Sequence, residues 1–312
     1  MSVLGPTSGP PLPDHVTIRE VCLRDGLQIE DPISLAAKLE LLEAVVATGV
    51  REVEATAFVS PSKVPALADA AALAAELPRL RQTHGVEFSA LVAGPGGAGR
   101  AVDAGMGSIE YVVSAADGHS KANVGRSTAD STHMIADIAR IAHENDASVE
   151  VIIATAWDCP FDGPTDPSRV VDIASAAVEI GADRIAIADT IGTTTPRRVT
   201  ALIELLRPVL GDVPLGAHFH NTRGAGLASA YAAVLAGVRR LDASVGGLGG
   251  CPFAPGASGN IATEDLVYML RDSGIGVDVD LDAAIHAASV ARDVVGHDLP
   301  SALLRAGDRI LS

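Results

Sequence analysis

The feature that most constrains the fold of this chain is a regular alternation of short β-rich runs with helical patterns, which continues from Val16 to Arg271. Proline, aspartate, serine or threonine opens several of the helical runs, and glycine closes several of them. About eight strand–helix units follow one another without a linker. Strict alternation of this number predicts an α/β fold, a closed parallel (β/α)8 TIM barrel. An open, doubly wound sheet is the alternative architecture.

The predicted elements have defined bounds. Strands are expected over Val16–Cys22, Arg51–Ala57, Val86–Ala93, Ser108–Ser114, Ser148–Thr155, Arg184–Ala188, Pro214–His220 and Arg240–Val245. Helices are expected over Ile33–Thr48, Val64–Leu77, Ala98–Ala104, Thr128–Glu144, Pro167–Ile180, Pro196–Leu210, Gly226–Leu235 and Thr263–Arg271, with additional C-terminal helices at Leu281–Val295 and Pro300–Arg309. We expect a short disordered tail over residues 1–14 and a single domain over residues 15–312.

Composition narrows the class of protein. The chain has 312 residues, 48% of them hydrophobic, which suits one large core. Its formal charge of −16 disfavours nucleic acid and anionic membranes as partners. No apolar run approaches the roughly 20 residues of a membrane span, and the N-terminus lacks the pattern of a signal peptide. Three cysteines without paired spacing indicate a reducing compartment, and we expect a cytoplasmic protein.

Most of the conspicuous polar residues lie where predicted strands end. Arg24 and Asp25 follow the first strand, Asp189 follows the sixth, and His218 and His220 lie on the seventh. The others are Glu54 in the second strand, and Cys251 and Asn260 after the eighth. The loops that follow the strands form the catalytic face of a barrel, so these side chains are expected to meet there.

His218 and His220 are two positions apart on a strand, where side chains repeat with period two, so both imidazoles should face the same side. With Asp25 they form a ligand set suited to Mn²⁺, Fe²⁺ or Zn²⁺, and tolerable for Mg²⁺ when waters complete the octahedron. Asn260 can add a neutral oxygen ligand. The alternative is that the histidines bond to neighbouring groups and that Asn260 is a turn residue.

Four further residues extend this candidate site. Arg24, next to the acidic ligand, can stabilise an enolate or hold a substrate oxygen, and its alternative is a surface ion pair. Glu54 lies in an otherwise apolar strand and needs a partner, for which Arg24 is the obvious candidate. Gln28 either orients the site or is solvated. Cys251, on a glycine-rich loop, can exchange a proton with a substrate carbon, although a free cysteine is more often a small buried apolar residue.

Several common motifs are absent from the sequence. There is no G-x-x-x-x-G-K-[ST], no G-x-G-x-x-G opening a helix after the first strand, and no G-x-S-x-G. Nucleoside triphosphate chemistry, NAD chemistry and serine hydrolysis are therefore disfavoured.

Five motifs together resemble the 3-hydroxy-3-methylglutaryl-CoA lyase family. They are V-C-L-R-D-G-L-Q from Val21, E-A-T-A-F-V-S-P from Glu54, D-T-I-G from Asp189, H-F-H from His218 and G-L-G-G-C-P-F-A-P-G-A-S-G-N from Gly247. The resemblance runs from Val16 to about Leu270. The cysteine loop is specific to the lyases, whereas R-D-G and H-x-H are shared with a wider group of metal-dependent barrels that includes isopropylmalate and homocitrate synthases.

The resemblance implies a role for each matching residue. It implies that Mg²⁺ or Mn²⁺ is held by Asp25, His218, His220 and Asn260. It also implies that Arg24 stabilises the acetyl-CoA enolate, that Cys251 is the loop acid/base, and that Glu54, Asp189 and Gln28 support them.

The implied reaction is retro-Claisen cleavage of an acyl-CoA thioester to acetyl-CoA and a 3-oxo acid, with a place in leucine degradation and a homodimeric assembly. His218 or Asp189 would relay the hydroxyl proton.

Some positions depart from the family pattern and leave the acyl substituent open. Asn221 and Arg223 replace an aspartate and a tyrosine, Ala188 replaces a glycine, and Trp157 enters the loop after the fifth strand. Citramalyl-CoA or a longer-branched 3-hydroxyglutaryl-CoA is therefore an alternative substrate. An acetyl-CoA-dependent 2-oxo acid synthase is a further alternative, which the cysteine loop disfavours. A non-catalytic barrel whose metal site has decayed is another, and it is disfavoured because all of the expected site residues are present: Arg24, Asp25, His218, His220, Cys251 and Asn260.

Overall fold

The computed structural model describes residues 12–250 and 259–309. Eight parallel strands close into a barrel in chain order, and the last strand pairs with the first. The strands are β1 (Thr17–Glu20), β2 (Glu52–Phe58), β3 (Glu87–Val92), β4 (Ser108–Ser114), β5 (Ser148–Ala154), β6 (Arg184–Asp189), β7 (Leu215–Phe219) and β8 (Arg240–Ala243). The predicted TIM barrel is confirmed, and the alternative of an open sheet is wrong.

Helices connect consecutive strands and continue after β8. They are α1 (Leu35–Val46), α2 (Ala70–His84), α3 (Pro95–Asp103), α4 (Asp117–Val124), α5 (Thr128–His143), α6 (Pro167–Ile180), α7 (Pro196–Leu210), α8 (Gly226–Leu235), α9 (Thr263–Asp272), α10 (Leu281–Val295) and α11 (Ala302–Ala306). Ser34, Ser127, Asp166 and Asp280 cap four of them by accepting first-turn N–H groups. Among the described residues, no helix is both long enough and apolar enough to cross a bilayer.

The predicted helix over Val64–Leu77 is displaced, since α2 starts later and continues through Pro78. Leu77 and Leu80 are both buried, so the apolar stripe continues beyond the proline. Its burial outweighs the roughly 3 kcal/mol that an internal proline costs a helix. Sequence patterning also misses α4, which is short, mostly polar and without a clear apolar period.

The first strand is shorter than predicted, because it ends at Glu20 and the chain then makes a wide, π-helical turn over Cys22–Gly26. The backbone N–H groups of Arg24, Asp25 and Gly26 all donate to the carbonyl oxygen of Val21, at 3.2, 2.8 and 3.1 Å. This turn places Arg24 and Asp25 at the end of the barrel formed by the C-terminal ends of the strands.

The barrel interior is divided between charged and apolar side chains. Arg19 on β1 contacts Glu110 on β4, Glu150 on β5 and Asp242 on β8. Strands on different sides of a barrel reach one another only through its interior, so this buried cluster fills the centre. A small apolar cluster on β4, β5 and β6 forms a second part of the interior, with the residues Val112, Ile152, Ala186 and Ala188.

The chain before β1 is joined to the rest of the protein at Asp14, whose carbonyl oxygen accepts a 2.9 Å hydrogen bond from the N–H of Gly276. Most of the tail predicted over residues 1–14 lies outside the described residues.

Candidate active site

Asp25 is the residue on which the candidate site converges. Its Oδ1 accepts hydrogen bonds from Arg24 Nη1 and Gln28 Nε2, both at 2.8 Å, and its Oδ2 accepts one from Asn260 Nδ2 at 2.9 Å. Burial alone would raise the pKa of Asp25, but Arg24 and then the two neighbouring histidines hold that pKa well below its usual range. The carboxylate is therefore ionised over the whole physiological range.

The two histidines at the end of β7 face this carboxylate. His218 Nε2 lies 3.8 Å from Asp25 Oδ2 and His220 Nε2 lies 3.5 Å from it, and the two imidazole centroids are 5.0 Å apart. One candidate ligand atom from each of Asp25, His218 and His220 lies within 4.8 Å of the others. The period-two spacing of the histidines thus places both rings on the same side, as predicted.

Asn260 reaches the site because the chain returns to the end of β7 after the glycine-rich loop. It forms an antiparallel bridge with His220, and the N–H of Ile261 donates to the carbonyl oxygen of Phe219. Besides contacting Asp25, Asn260 Nδ2 donates to the carbonyl oxygen of Leu248 at 3.0 Å. Asn260 is therefore part of the buried site and not a simple turn residue.

Several buried polar atoms in this group lack hydrogen-bond partners among the described residues. They include both ring nitrogens of His220 and Oδ1 of Asn260. A buried polar atom without a partner costs free energy, so such atoms are suited to bind a ligand. Two imidazoles, a carboxylate and an amide oxygen are a donor set that fits a divalent cation.

Arg24 lies between two carboxylates. Its Nε is 2.6 Å from Glu54 Oε1, and its Nη1 is 2.8 Å from Asp25 Oδ1. Burial raises the pKa of Glu54 well above its ordinary value and Glu110 raises it further, although Arg24 opposes both. The predicted pairing of Arg24 with Glu54 is confirmed, and the alternative of a surface ion pair is wrong, since Arg24 is 8% exposed.

Asp189 ends β6 beside the histidine strand, where it pairs in register with Phe219. Its Oδ1 and Oδ2 accept 3.0 Å hydrogen bonds from the backbone N–H groups of Thr193 and Thr194. Burial raises the pKa of Asp189, while these hydrogen bonds and the nearby His220 act in the opposite direction. Its predicted role as a proton relay stays a prediction.

Cys251 falls within residues 251–258, which lie outside the described residues. The described chain before it passes directly over the site. Gly249 has a φ of 117°, and a Cβ there would lie 2.8 Å from Asn260 Nδ2 and 3.1 Å from the carbonyl oxygen of Asp25. Only glycine permits this backbone path so close to the candidate ligands.

Sequence patterning misses Asp242 on β8, which is buried behind His218. Its Oδ2 lies 3.1 Å from His218 Nδ1, and its two oxygens accept from Arg19 Nε and Nη2 at 2.8 and 2.7 Å. A sequence signal did exist, because Arg19, Glu110, Glu150 and Asp242 are charged residues inside predicted strands, where an isolated charge is unfavourable.

Trp157 is not in the mouth of the barrel. Its ring packs against Phe219 at a centroid distance of 5.8 Å, its Nε1 donates to the carbonyl oxygen of Arg198, and only 4% of its surface is exposed. It therefore stabilises the outer face of β7. Glu30, two positions after Gln28, pairs with His297 at 2.9 Å.

Comparisons with known proteins agree with this geometry. The HMGL-like family model matches residues 15–291. The (R)-citramalyl-CoA lyase of Chloroflexus aurantiacus is 40% identical over 94% of this chain and 95% of its own length, and a hydroxymethylglutaryl-CoA lyase of Bacillus subtilis is 36% identical over 93% and 97%.

Solved structures are equally similar. A hydroxymethylglutaryl-CoA lyase from Pseudomonas aeruginosa has a TM-score of 0.89 at 35% identity, with 95% and 98% of the two chains covered. An HMG-CoA lyase from Acinetobacter baumannii, in complex with coenzyme A and 3-methylmalate, has a TM-score of 0.88 at 37% identity, with 94% and 95% covered. The chain belongs to the HMGL-like family of carbon–carbon lyases.

Proposed function

We propose that this protein is a divalent-cation-dependent lyase that cleaves 3-hydroxy-3-methylglutaryl-CoA, or a closely related 3-hydroxyacyl-CoA, to acetyl-CoA and a 3-oxo acid. The observation that carries the proposal is the convergence of Asp25, His218 and His220 beside Arg24, at the C-terminal ends of the barrel strands. Relatives of 36–40% identity that are named as acyl-CoA lyases support it.

The cation would be Mg²⁺ or Mn²⁺, held by Asp25, His218, His220 and Asn260. When bound, it supplies Lewis acidity that lowers the pKa of a substrate hydroxyl. The apolar residues Val112, Ile152, Ala186 and Ala188 adjoin this position, because Ala188 pairs with His218 in register. They suit a methyl group on the carbon that bears the hydroxyl.

The hydroxyl proton needs an acceptor within the protein. His218 would hold the cation through Nε2 and contacts Asp242 through Nδ1, so neither nitrogen is left for the hydroxyl proton. Asp189, at the end of the neighbouring strand, is the remaining acceptor: each of its oxygens accepts one backbone N–H and keeps a second lone pair, and burial raises the pKa of its carboxyl. As the proton leaves, the carbon–carbon bond breaks and its electron pair passes into the thioester enolate.

Arg24 stabilises that enolate. Its ion pairs with Asp25 and Glu54 fix the guanidinium, and the hydrogen bond to Asp25 uses one of its five N–H donors, which leaves donors for the enolate oxygen. A donor fixed in advance does not have to reorganise as charge develops. Cys251 then donates its thiol proton to the enolate carbon and completes acetyl-CoA.

Citramalyl-CoA is the second candidate substrate, and one relative favours it. The citramalyl-CoA lyase relative is 40% identical to this chain. The loop after β7 carries Arg223, whose Nη1 donates to the carbonyl oxygens of Ile191 and Gly192 just beyond Asp189. This contact ties the loop after β7 to the residues that follow the proposed proton acceptor.

The test is incubation of the purified protein with each thioester and Mg²⁺ or Mn²⁺, followed by mass spectrometry of both products. Hydroxymethylglutaryl-CoA should give acetyl-CoA with acetoacetate, and citramalyl-CoA should give acetyl-CoA with pyruvate. Release of free CoA from acetyl-CoA and a 2-oxo acid would instead indicate a synthase. No acetyl-CoA from any 3-hydroxyacyl-CoA would refute the proposed function.

A further inference from the structure

We propose that Asp242 is a positioning residue that fixes the tautomer of His218: it holds the proton on Nδ1, so that the unprotonated Nε2 faces Asp25. The inference rests on the proposed function only in that the same Nε2 would bind the cation. It assigns a role to a residue that touches neither substrate nor cation.

The geometry around His218 is asymmetric. Its Nδ1 is 3.1 Å from Asp242 Oδ2, within hydrogen-bond distance, whereas its Nε2 is 3.8 Å from Asp25 Oδ2, which is too far for a hydrogen bond. A neutral imidazole has one N–H donor and one acceptor nitrogen. The single proton therefore belongs on Nδ1, and the lone pair of Nε2 points into the candidate metal site.

Arg19 ensures that Asp242 can only accept. It donates from Nε to Asp242 Oδ1 and from Nη2 to Asp242 Oδ2, a two-point contact between buried partners. Both oxygens of Asp242 thus face donors, and the remaining donor is His218 Nδ1. Such a partner on the far nitrogen is what orients a metal-binding histidine and sets its tautomer.

His220 provides an internal contrast. Its Nε2 also faces Asp25, at 3.5 Å, but neither of its ring nitrogens has a hydrogen-bond partner among the described residues. Asp242 therefore acts on one histidine of the pair.

The test compares Asp242→Ala with Glu150→Gln. Alanine at position 242 leaves His218 Nδ1 without its acceptor, so nothing holds the proton on that nitrogen. Glu150 also accepts from Arg19, through Nη1 at 2.7 Å, and is equally buried. Glu150→Gln removes the same charge from Arg19 and leaves the contact with His218 intact.

The direct readout is ¹⁵N NMR of the imidazole nitrogens in the metal-free protein, at a pH about two units above the ordinary histidine pKa. The signal of His218, one of nine histidines, is identified by its loss in His218→Asn. Wild type and Glu150→Gln should carry the proton on Nδ1, and in Asp242→Ala it should move at least partly to Nε2. Calorimetry should show that Mn²⁺ binds roughly 10–100-fold more weakly to Asp242→Ala than to Glu150→Gln.

A wild-type His218 protonated on Nε2, alone or together with Nδ1, would overturn the proposal even if the variants failed to fold. An unchanged tautomer in Asp242→Ala, or an equal loss of Mn²⁺ affinity in Glu150→Gln, would overturn it as well. The proposed function fails separately, because a wild type that releases no acetyl-CoA contradicts the lyase and leaves the tautomer result unaffected.

Discussion

The amide Nδ2 of Asn260 donates a 2.9 Å hydrogen bond to Oδ2 of Asp25, although 235 positions separate the two residues in the chain. The contact joins the turn after the first strand to the segment that follows the glycine-rich loop. Arg24 and Gln28 hold the other oxygen of the same carboxylate. The candidate site is thus assembled where the residues that follow the first strand meet those that follow the last strand of the barrel.

Cys251→Ala should lower the rate of acetyl-CoA release by roughly 10²–10⁴-fold, because no thiol remains to protonate the enolate carbon. The affinity for Mn²⁺, measured by titration calorimetry, should stay at the wild-type value, since Asp25, His218, His220 and Asn260 are unchanged. Cys159→Ala is the control, as that buried thiol accepts from the backbone N–H groups of residues 161 and 162. Wild-type turnover in Cys251→Ala would remove the thiol from the mechanism.

His220→Ala should weaken Mn²⁺ binding by more than the roughly 10–100-fold expected for loss of a residue that merely supports a ligand. The matched control is His119→Ala, which removes another buried histidine. His119 bonds to Ser114, burial lowers its pKa to about 4, and it is not part of the candidate ligand group. Equal Mn²⁺ affinities for the two variants in calorimetry would contradict the assignment of His220.

Arg24→Lys should lower kcat by roughly 10²–10³-fold, because a lysine ammonium cannot contact Asp25 and Glu54 in the same fixed geometry while it donates to an enolate. Positive charge and much of the volume are kept, so the loss should appear in kcat more than in thermal stability. Steady-state kinetics and thermal melts measure the two effects. Arg169→Lys, which alters an ion pair with Asp117 away from the site, should behave like wild type.

Glu20→Gln should make the stability of the protein less dependent on pH. Glu20 is buried and accepts from the N–H groups of Cys22 and Val245 and the hydroxyl of Thr263, and burial raises its pKa to about 7. The native state therefore binds this proton more tightly than the unfolded state, whose glutamate pKa is about 4.3. Wild type should lose stability between pH 4.5 and about 7, by on the order of 2 kcal/mol more than the variant.

Urea unfolding at several pH values measures the Glu20 effect. The exposed Glu144 gives the control, because Glu144→Gln should follow wild type at every pH. Parallel stability curves for wild type and Glu20→Gln would contradict the prediction.

Much of the site follows from the sequence because local patterns fix it. The strand pattern around His218 and His220 specifies both the strand and the side on which the rings lie. Because Glu54 lies in an apolar strand, the sequence predicts that it needs a cationic partner. Arg24 is that partner, with its Nε 2.6 Å from Glu54 Oε1. The position of charged residues at strand ends then follows from the geometry of any parallel barrel.

The remainder depends on contacts that no local pattern records. Asp242 meets His218 and Arg19 only when the barrel closes, since the three residues lie on β7, β8 and β1. Asn260 has an ordinary turn sequence around it, and only the return of the chain to β7 brings it to Asp25. The continuation of α2 through Pro78 reflects the burial of Leu80 in the assembled core, which outweighs local propensity.

The most direct test of the account is the position of Mn²⁺ in crystals of the protein, found by anomalous scattering at the manganese edge. We expect one strong peak within roughly 2.0–2.3 Å of Asp25, His218 Nε2 and His220 Nε2, with the amide oxygen of Asn260 turned towards it. A fully loaded crystal with no peak between these side chains, or with the peak elsewhere, would contradict the central claim.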